Sequence, residues 1–229
     1  GSPGKIRIIA GDSAGAMYGG LDVAEALKLG TLQGLSPRIS QPSVLYRGMK
    51  FNIPLDLRNP TYSDNADAAQ QNIPEVWTMD FWRTMLDDMA RYRYNVLTLW
   101  NLHPFPSMVK VQEFPEVALQ DVWRTRMPLD ESFSTRGADE VRKEMLANHE
   151  VLKKISIDEK IEFWRWVMRY ARSRGIDVYV FTWNVFTWGA DGKHGITQDQ
   201  DNPVTIAYFR ASVREMVLTY PLLAGICST

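Results

Sequence analysis

Cysteine is nearly missing from this chain: Cys227 is the single one in 229 residues, so no internal disulfide can form. No group of Cys and His at zinc-ligand spacing accompanies it, and no structural metal or cofactor is implied. An excess of one charge is missing too. Lys and Arg number 26 against 27 Asp and Glu, a net charge of −1, which argues against a grip on nucleic acid or an anionic membrane surface. No run approaches the roughly 18 apolar residues of a membrane span. The opening Gly1-Ser2-Pro3-Gly4 has neither the charged nor the apolar region of a signal peptide. A phosphate loop is absent as well. Gly11-Asp12-Ser13-Ala14-Gly15 lacks the Lys-Ser/Thr ending and no GxGxxG occurs, so a close turn packing helix on strand is its expected role. What is present is a composition, 45% hydrophobic and 23% charged, that can hold a fold by burial alone.

Hydrophobic periodicity organises the chain. Lys5 to Ala10 has a strand pattern, and Ala16 to Leu29 a helical one with Met17, Leu21, Ala24 and Leu27 on one face and Gly30 as its stop. From Gly30 to Ser43 there is no period, and Gly34, Pro37 and Pro42 mark a linker. A new domain is expected to begin near Val44. Val44 to Ile53 is strand-like, Asp80 is placed to cap a helix carrying Trp82, Met85, Leu86 and Met89, and Asn95 to Trp100 is a buried-type strand.

The same unit then recurs. Ser156 and Glu159 form a capping box before a helix that buries Ile161, Trp164, Val167, Met168 and Ala171 and stops at Gly175. Ile176 to Trp183 is the next strand. Asn202-Pro203 opens a helix with Ile206, Val213, Met216 and Val217 inward, Pro221 ends it, and Leu222 to Cys227 is one more strand. The order from Val44 is β-α-β-α-β-α-β, with apolar strands suited to a parallel sheet in a barrel or a doubly wound fold. The long segments Leu102 to Ile155 and Val185 to Asp201 follow strands, which favours the barrel. The expected class is therefore α/β: residues 44–229 form a partial (β/α)8 barrel with about four strands, truncated at its C-terminus. Residues 1–43 are a fragment of a small α/β domain plus linker.

On this architecture the strand ends carry the site. They supply Lys50, Asn52 and Asp56; then Trp100, Asn101 and His103; then Thr182, Trp183, Asn184 and Trp188; and finally Ser228 and Thr229. Aromatic faces stack on the C–H faces of sugar rings, while Asn and His read hydroxyl groups. A Trp-Asn pair occurs twice, at Trp100-Asn101 and Trp183-Asn184. The alternative use of these pairs is structural, the tryptophans closing the barrel and the asparagines capping turns. His149 is expected on a solvated face, and His194 in a glycine-rich turn is a further candidate for reaching a ligand. Glycoside cleavage takes two carboxylates at a defined separation, and the sequence offers no such pair. Asp56, Asp64 and Asp67 sit in turn-like surroundings, Asp87-Asp88 lies on an outer helix face, and Asp64/Asp67 or Asp199/Asp201 lacks the companions of a metal site.

Ala10 to Glu25 resembles the closing strand and helix of the small α/β domain that precedes the barrel in α-glucuronidases and β-hexosaminidases. Tyr46-Arg47-Gly48-Met49-Lys50-Phe51-Asn52 is similar to their first barrel strand, and Leu99-Trp100-Asn101 and Phe181-Thr182-Trp183-Asn184 are similar in style to α-glucuronidases. The resemblance implies a glycoside hydrolase, with Asn52, Trp100, Asn101, His103, Trp183 and Asn184 in a carbohydrate pocket. In those families the general acid follows the fourth barrel strand, which here ends at Thr229. The resemblance therefore places the catalytic residues just past Thr229 and implies an inactive fragment. Two other readings stay open, a non-catalytic carbohydrate-binding protein and an α/β enzyme with a complete small sheet. Exposed half-barrel edges predict self-association. Secretion or a periplasmic location follows by analogy alone.

Overall fold

The computed structural model describes residues 5–61, 66–128, 141–183 and 186–228, and side chains of 66–69 lie outside the description. Four parallel strands form the main sheet: β1 (Gly48–Asn52), β2 (Val96–Trp100), β5 (Asp177–Thr182) and β6 (Leu223–Ser228), paired in that order. A separate antiparallel pair, β3 (Val122–Thr125) and β4 (His149–Lys153), sits in the long connection between β2 and β5. The helices are α1 (Ser13–Lys28), α2 (Ala66–Val76), α3 (Met79–Arg91), the short α4 (Phe105–Met108) and α5 (Lys143–Ala147), α6 (Ile157–Ser173) and α7 (Pro203–Thr219). Among the described residues, no helix is long and apolar enough to cross a membrane.

Strand order resolves the choice of architecture. A doubly wound sheet reverses its order at a switch point, whereas here each main strand pairs with the next one in sequence. Burial agrees. Along β2, Leu97 and Leu99 are buried while Val96, Thr98 and Trp100 are half-buried, and β5 alternates in the same way, with Val178, Val180 and Thr182 buried. One face is thus sealed by helices and the other is open, as on the outer and inner faces of a barrel. The fold is α/β, a run of consecutive units of a (β/α)8 barrel.

The sealed face holds the core. Trp82 of α3 and Trp164 of α6 are fully buried with ring centroids 5.4 Å apart, and Trp77 and Phe163 join them edge-on or tilted. The indole N–H of Trp77 donates to the Leu55 carbonyl (2.7 Å) and that of Trp82 to Val76 (2.8 Å), so these rings carry no polar cost there. The Ser156/Glu159 capping box is present at α6, which ends before Gly175 at φ 70°. Asn202 caps α7 with Pro203 in its first turn.

Several elements differ from the sequence reading. Lys5 to Ala10 forms no strand: Ile6, Ile8 and Ile9 are exposed, and no partner pairs with the segment among the described residues. Ile8 fits closely against Gly19 of α1, where a Cβ would lie 2.6 Å from the isoleucine. The α1 stripe is also misjudged, since Leu27 is exposed and only Ala26 of this helix is buried. Thr78, not Asp80, caps α3, its hydroxyl accepting from the Phe81 N–H. In α7 the inward face is Thr205, Tyr208, Ala211, Ser212 and Met216, while Ile206, Val213 and Val217 are exposed. Thr205 and Tyr208 take the inside there because other parts of the chain supply partners: the Thr197 carbonyl accepts from Thr205 Oγ1 at 2.9 Å, and His103 Nε2 lies 3.0 Å from the Tyr208 hydroxyl.

Candidate functional site

Parallel register places side chains from different strands in layers on the open face. Lys50, Thr98 and Tyr179 share one layer with Gly225; Asn52, Trp100 and Phe181 share the next with Cys227, at the C-terminal ends of the strands. Trp100 and Phe181 stack face to face, with centroids 4.3 Å apart and planes 10° from parallel. The Lys50 ammonium lies 4.4 Å from the Trp100 ring centroid, and the Trp100 indole donates to Thr98 Oγ1 at 3.0 Å. Asn52 is half-buried beside them. Together these groups make an aromatic pad of two rings stacked face to face, with the Lys50 ammonium over the Trp100 ring.

Above the pad, Trp183 is half-buried, its main-chain N–H donating to Leu102 O at 3.3 Å. Asn184 lies outside the described residues. Asn101 and His103, expected in the pocket, are turned into the protein. Asn101 is 3% exposed, and its amide donates to the carbonyls of Ile53 (2.8 Å) and Asn59 (3.2 Å) while its Oδ1 accepts from the His103 N–H (2.9 Å). His103 is fully buried, with Nδ1 2.6 Å from the Trp188 carbonyl and Nε2 3.0 Å from the Tyr208 hydroxyl. A carbonyl can only accept, so Nδ1 carries the proton and Nε2 accepts from Tyr208. Burial holds the imidazole neutral and lowers its pKa to about 4, opposed in part by the bond to Trp188.

A residue the sequence reading passed over joins these loops. Asn59, fully buried, donates from Nδ2 to the carbonyls of His103 (2.7 Å) and Trp188 (3.2 Å) and accepts at Oδ1 from Ser107 Oγ (2.6 Å). It ties the loops after β1, β2 and β5 together. The sequence signal was slight, an Asn-Pro in a turn-like stretch. Phe181, the partner of Trp100, was legible only as one position of an alternating strand.

The carboxylates near this rim are engaged. Asp56 is buried, accepting from Arg58 Nε (2.6 Å) and Nη2 (2.9 Å) and from the Trp123 main-chain N–H (2.9 Å). Asp191 accepts from Thr187 Oγ1 at 3.2 Å. His194, at φ 50°, sits 3.7 Å from Glu116, and His149 is not simply solvated but stacks on Trp123 with centroids 4.0 Å apart. Asp64 lies outside the described residues, as does the Asp67 side chain. Asp87 pairs with Arg174, and Asp199 accepts from the Asp201 N–H in a turn. Among the described residues, no three His, Cys, Asp or Glu gather as a metal site.

A cavity of about 960 Å³ lies elsewhere, beside α1 and the residues that precede β1 and β2. Its cations are committed in part: Arg38 and Arg93 pair with Asp22, and Arg47 donates to the carbonyls of Arg93, Val44 and Leu45. The strand starts of a barrel are its structural end, so the aromatic pad at the opposite end is the candidate site.

No family model and no curated protein matches the chain. Among solved structures it is similar to a GH138 enzyme targeting pectin rhamnogalacturonan II, at 21% identity and a TM-score of 0.60. That match covers 93% of this chain, which spans 21% of that enzyme's length. A GH20 beta-N-acetylhexosaminidase from Streptomyces coelicolor A3(2) matches at 12% identity and a TM-score of 0.40, over 79% of this chain and 32% of the other. The Streptomyces plicatus beta-hexosaminidase in complex with GlcNAc matches at 12% identity and a TM-score of 0.40, over 79% and 31%. The chain therefore shares the barrel-type fold of the GH138 enzyme over a segment about one fifth of that enzyme's length.

Proposed function

We propose that this chain is the N-terminal half of the barrel of a carbohydrate-active glycoside hydrolase, with residues 44–229 building one side of a sugar pocket. Residues 1–43 belong to a preceding α/β domain. The single observation that carries this reading is the Trp100–Phe181 pad, 4.3 Å between centroids, at the C-terminal ends of consecutive parallel strands. A pyranose ring packs its C–H groups against the solvent-exposed side of this ring stack. Lys50, 4.4 Å from the Trp100 ring, stands where a ring carboxylate would be paired, which favours a uronic-acid-bearing polysaccharide over a neutral one. The likeness to an enzyme targeting pectin rhamnogalacturonan II supports trying a pectic sugar first. α-Glucuronidase-like specificity is the finer form of the same proposal. Asn52 and Trp183 flank the ligand, while Asn101 and His103 act from beneath by fixing the loops.

The acid that protonates the leaving oxygen is proposed to follow Thr229, so this chain alone binds sugar without cleaving it. Engagement of Asp56 by Arg58 favours, as a second reading, a carbohydrate-binding protein without catalysis. Calorimetric titration with galacturonic acid and with galactose tests the proposal. It expects the acid to bind more tightly than the neutral sugar and Trp100→Ala to weaken binding about tenfold or more. Equal, Trp100-independent binding of both sugars contradicts it. Release of product by the purified chain contradicts the placement of the acid, and a longer form that binds without turnover favours the second reading.

A further inference from the structure

Below the pad, β5 and β6 are shaped around one side chain. Tyr179 stands on the open face two residues before Phe181, in the layer it shares with Lys50, Thr98 and Gly225. The β5–β6 ladder slips at this point: Val178 faces Leu223 and Tyr179 faces Gly225, so Ala224 is an extra residue on β6. A bulge of this kind bends its strand and turns side chains to new directions. Gly225 follows it directly and leaves room for the ring, because a Cβ there would lie 3.1 Å from both Cδ1 and Cε1 of Tyr179. The ring therefore takes the space that a side chain at 225 would fill. Its hydroxyl makes no hydrogen bond among the described residues and is not sealed from solvent. The Thr98 hydroxyl in the same layer is committed by contrast, accepting from the Trp100 indole (3.0 Å) and donating to Met49 O (3.3 Å).

Resting on the carbohydrate reading above, we propose that Tyr179 is a specificity-determining residue of the sugar pocket, its hydroxyl hydrogen-bonding a ring hydroxyl of the ligand, and that Gly225 is its positioning residue. Lys50 and Tyr179 lie in one layer on opposite sides of β2. Their backbones are two strand spacings apart, about 9–10 Å, which places one sugar ring between the two groups. With the carboxylate at Lys50, the hydroxyl groups on the far side of the ring fall toward Tyr179. A phenol suits them chemically: it is neutral, donates one proton and accepts in return, as a sugar hydroxyl does. The ammonium thus reads the charge and the phenol reads the ring. Bulge and glycine hold the phenol in place before the ligand arrives, so the entropy of ordering it is not lost on binding.

Calorimetric titration of the whole chain with galacturonic acid and with galactose, at about pH 7, tests this. Tyr179→Phe, which removes the hydroxyl oxygen and keeps the ring, is expected to weaken both sugars by the same factor, about fivefold, and to leave the preference for the acid intact. Gly225→Ala is expected to weaken both as well, and to cost nothing further in the Tyr179→Phe background, where a merely structural effect would add. Unchanged affinity in Tyr179→Phe, with Trp100-dependent binding present in the wild type, overturns the role of Tyr179 and leaves the carbohydrate reading standing. A loss confined to galacturonic acid overturns the assignment to a ring hydroxyl. Additive losses in the double variant overturn the positioning role of Gly225. Binding of neither sugar by the wild type overturns both proposals.

Discussion

Acid should destabilise this protein through His103, and the amount can be worked from its surroundings. The imidazole titrates near 6.5 when unfolded and near 4 in the folded chain, where burial disfavours the cation. Between those values the unfolded state binds more protons, so stability falls as pH drops from 6.5 toward 4. The complete loss is about 3 kcal/mol, of which about 2 kcal/mol appears between pH 7 and pH 5. Urea unfolding at the two pH values, on the wild type and on His103→Gln, isolates this contribution because glutamine does not titrate and other groups cancel. The wild type is expected to lose about 2 kcal/mol more than the variant, or about 4–8 °C in melting temperature. The same pH dependence in both proteins would show that His103 is not held neutral between Trp188 and Tyr208, and its part in fixing the loops would fall with it.

Lys160 offers the mirror case at high pH. It is buried against the Leu119 and Asp121 carbonyls, and burial lowers its pKa from 10.5 to about 8, so stability should rise by about 1.5 kcal/mol between pH 8 and 9.5. Lys160→Met should abolish that slope in urea titrations; above pH 10 the buried Tyr208 and Tyr220, whose pKa values burial raises, reverse the trend. Gly189→Ala should cost about 1–2 kcal/mol from its left-handed backbone and more from contact with Leu119. Gly192→Ala, at φ 77° with nothing within 4 Å of the added carbon, should cost less, and equal losses on thermal melting would remove the role given to packing. Strands β1 and β6 each pair on one side only among the described residues, so the chain should self-associate at concentrations on the order of 10 µM. Sedimentation as a well-behaved monomer at that concentration would contradict this.

The elements that local chemistry determines were legible in the sequence. Ser156 and Glu159 mark the start of α6 and Gly175 its end, because capping groups and a left-handed stop act within a few residues. The β2 and β5 segments were visible as apolar runs, and four strands in parallel units followed from their alternation with helices. Pairing was not legible where it depends on distant partners. Lys5 to Ala10 has a strand's pattern without a strand's neighbour, and the β3–β4 pair joins segments whose bonds include Arg124 to Glu150, charged residues that suggest surface loop. In α7 the inward face was misread because Tyr208 and Thr205 are buried by hydrogen bonds that come from other parts of the chain.

The site shows the same division. Strand ends bearing Asn52, Trp100 and Trp183 could be read from position alone, but the direction of the next side chains could not. Asn101 and His103 point into the protein because carbonyls of Ile53, Asn59 and Trp188 need donors once the loops pack. Asn59 had no motif to announce it; its role exists only when three loops converge.

A crystal structure of the chain with digalacturonic acid would show where the sugar sits, and so whether the aromatic pad is the binding site. One sugar ring is expected against Trp100 and Phe181, its carboxylate toward Lys50. Sugar density in the cavity lined by Arg7, Arg38 and Tyr92, with the aromatic pad left bare, would contradict it.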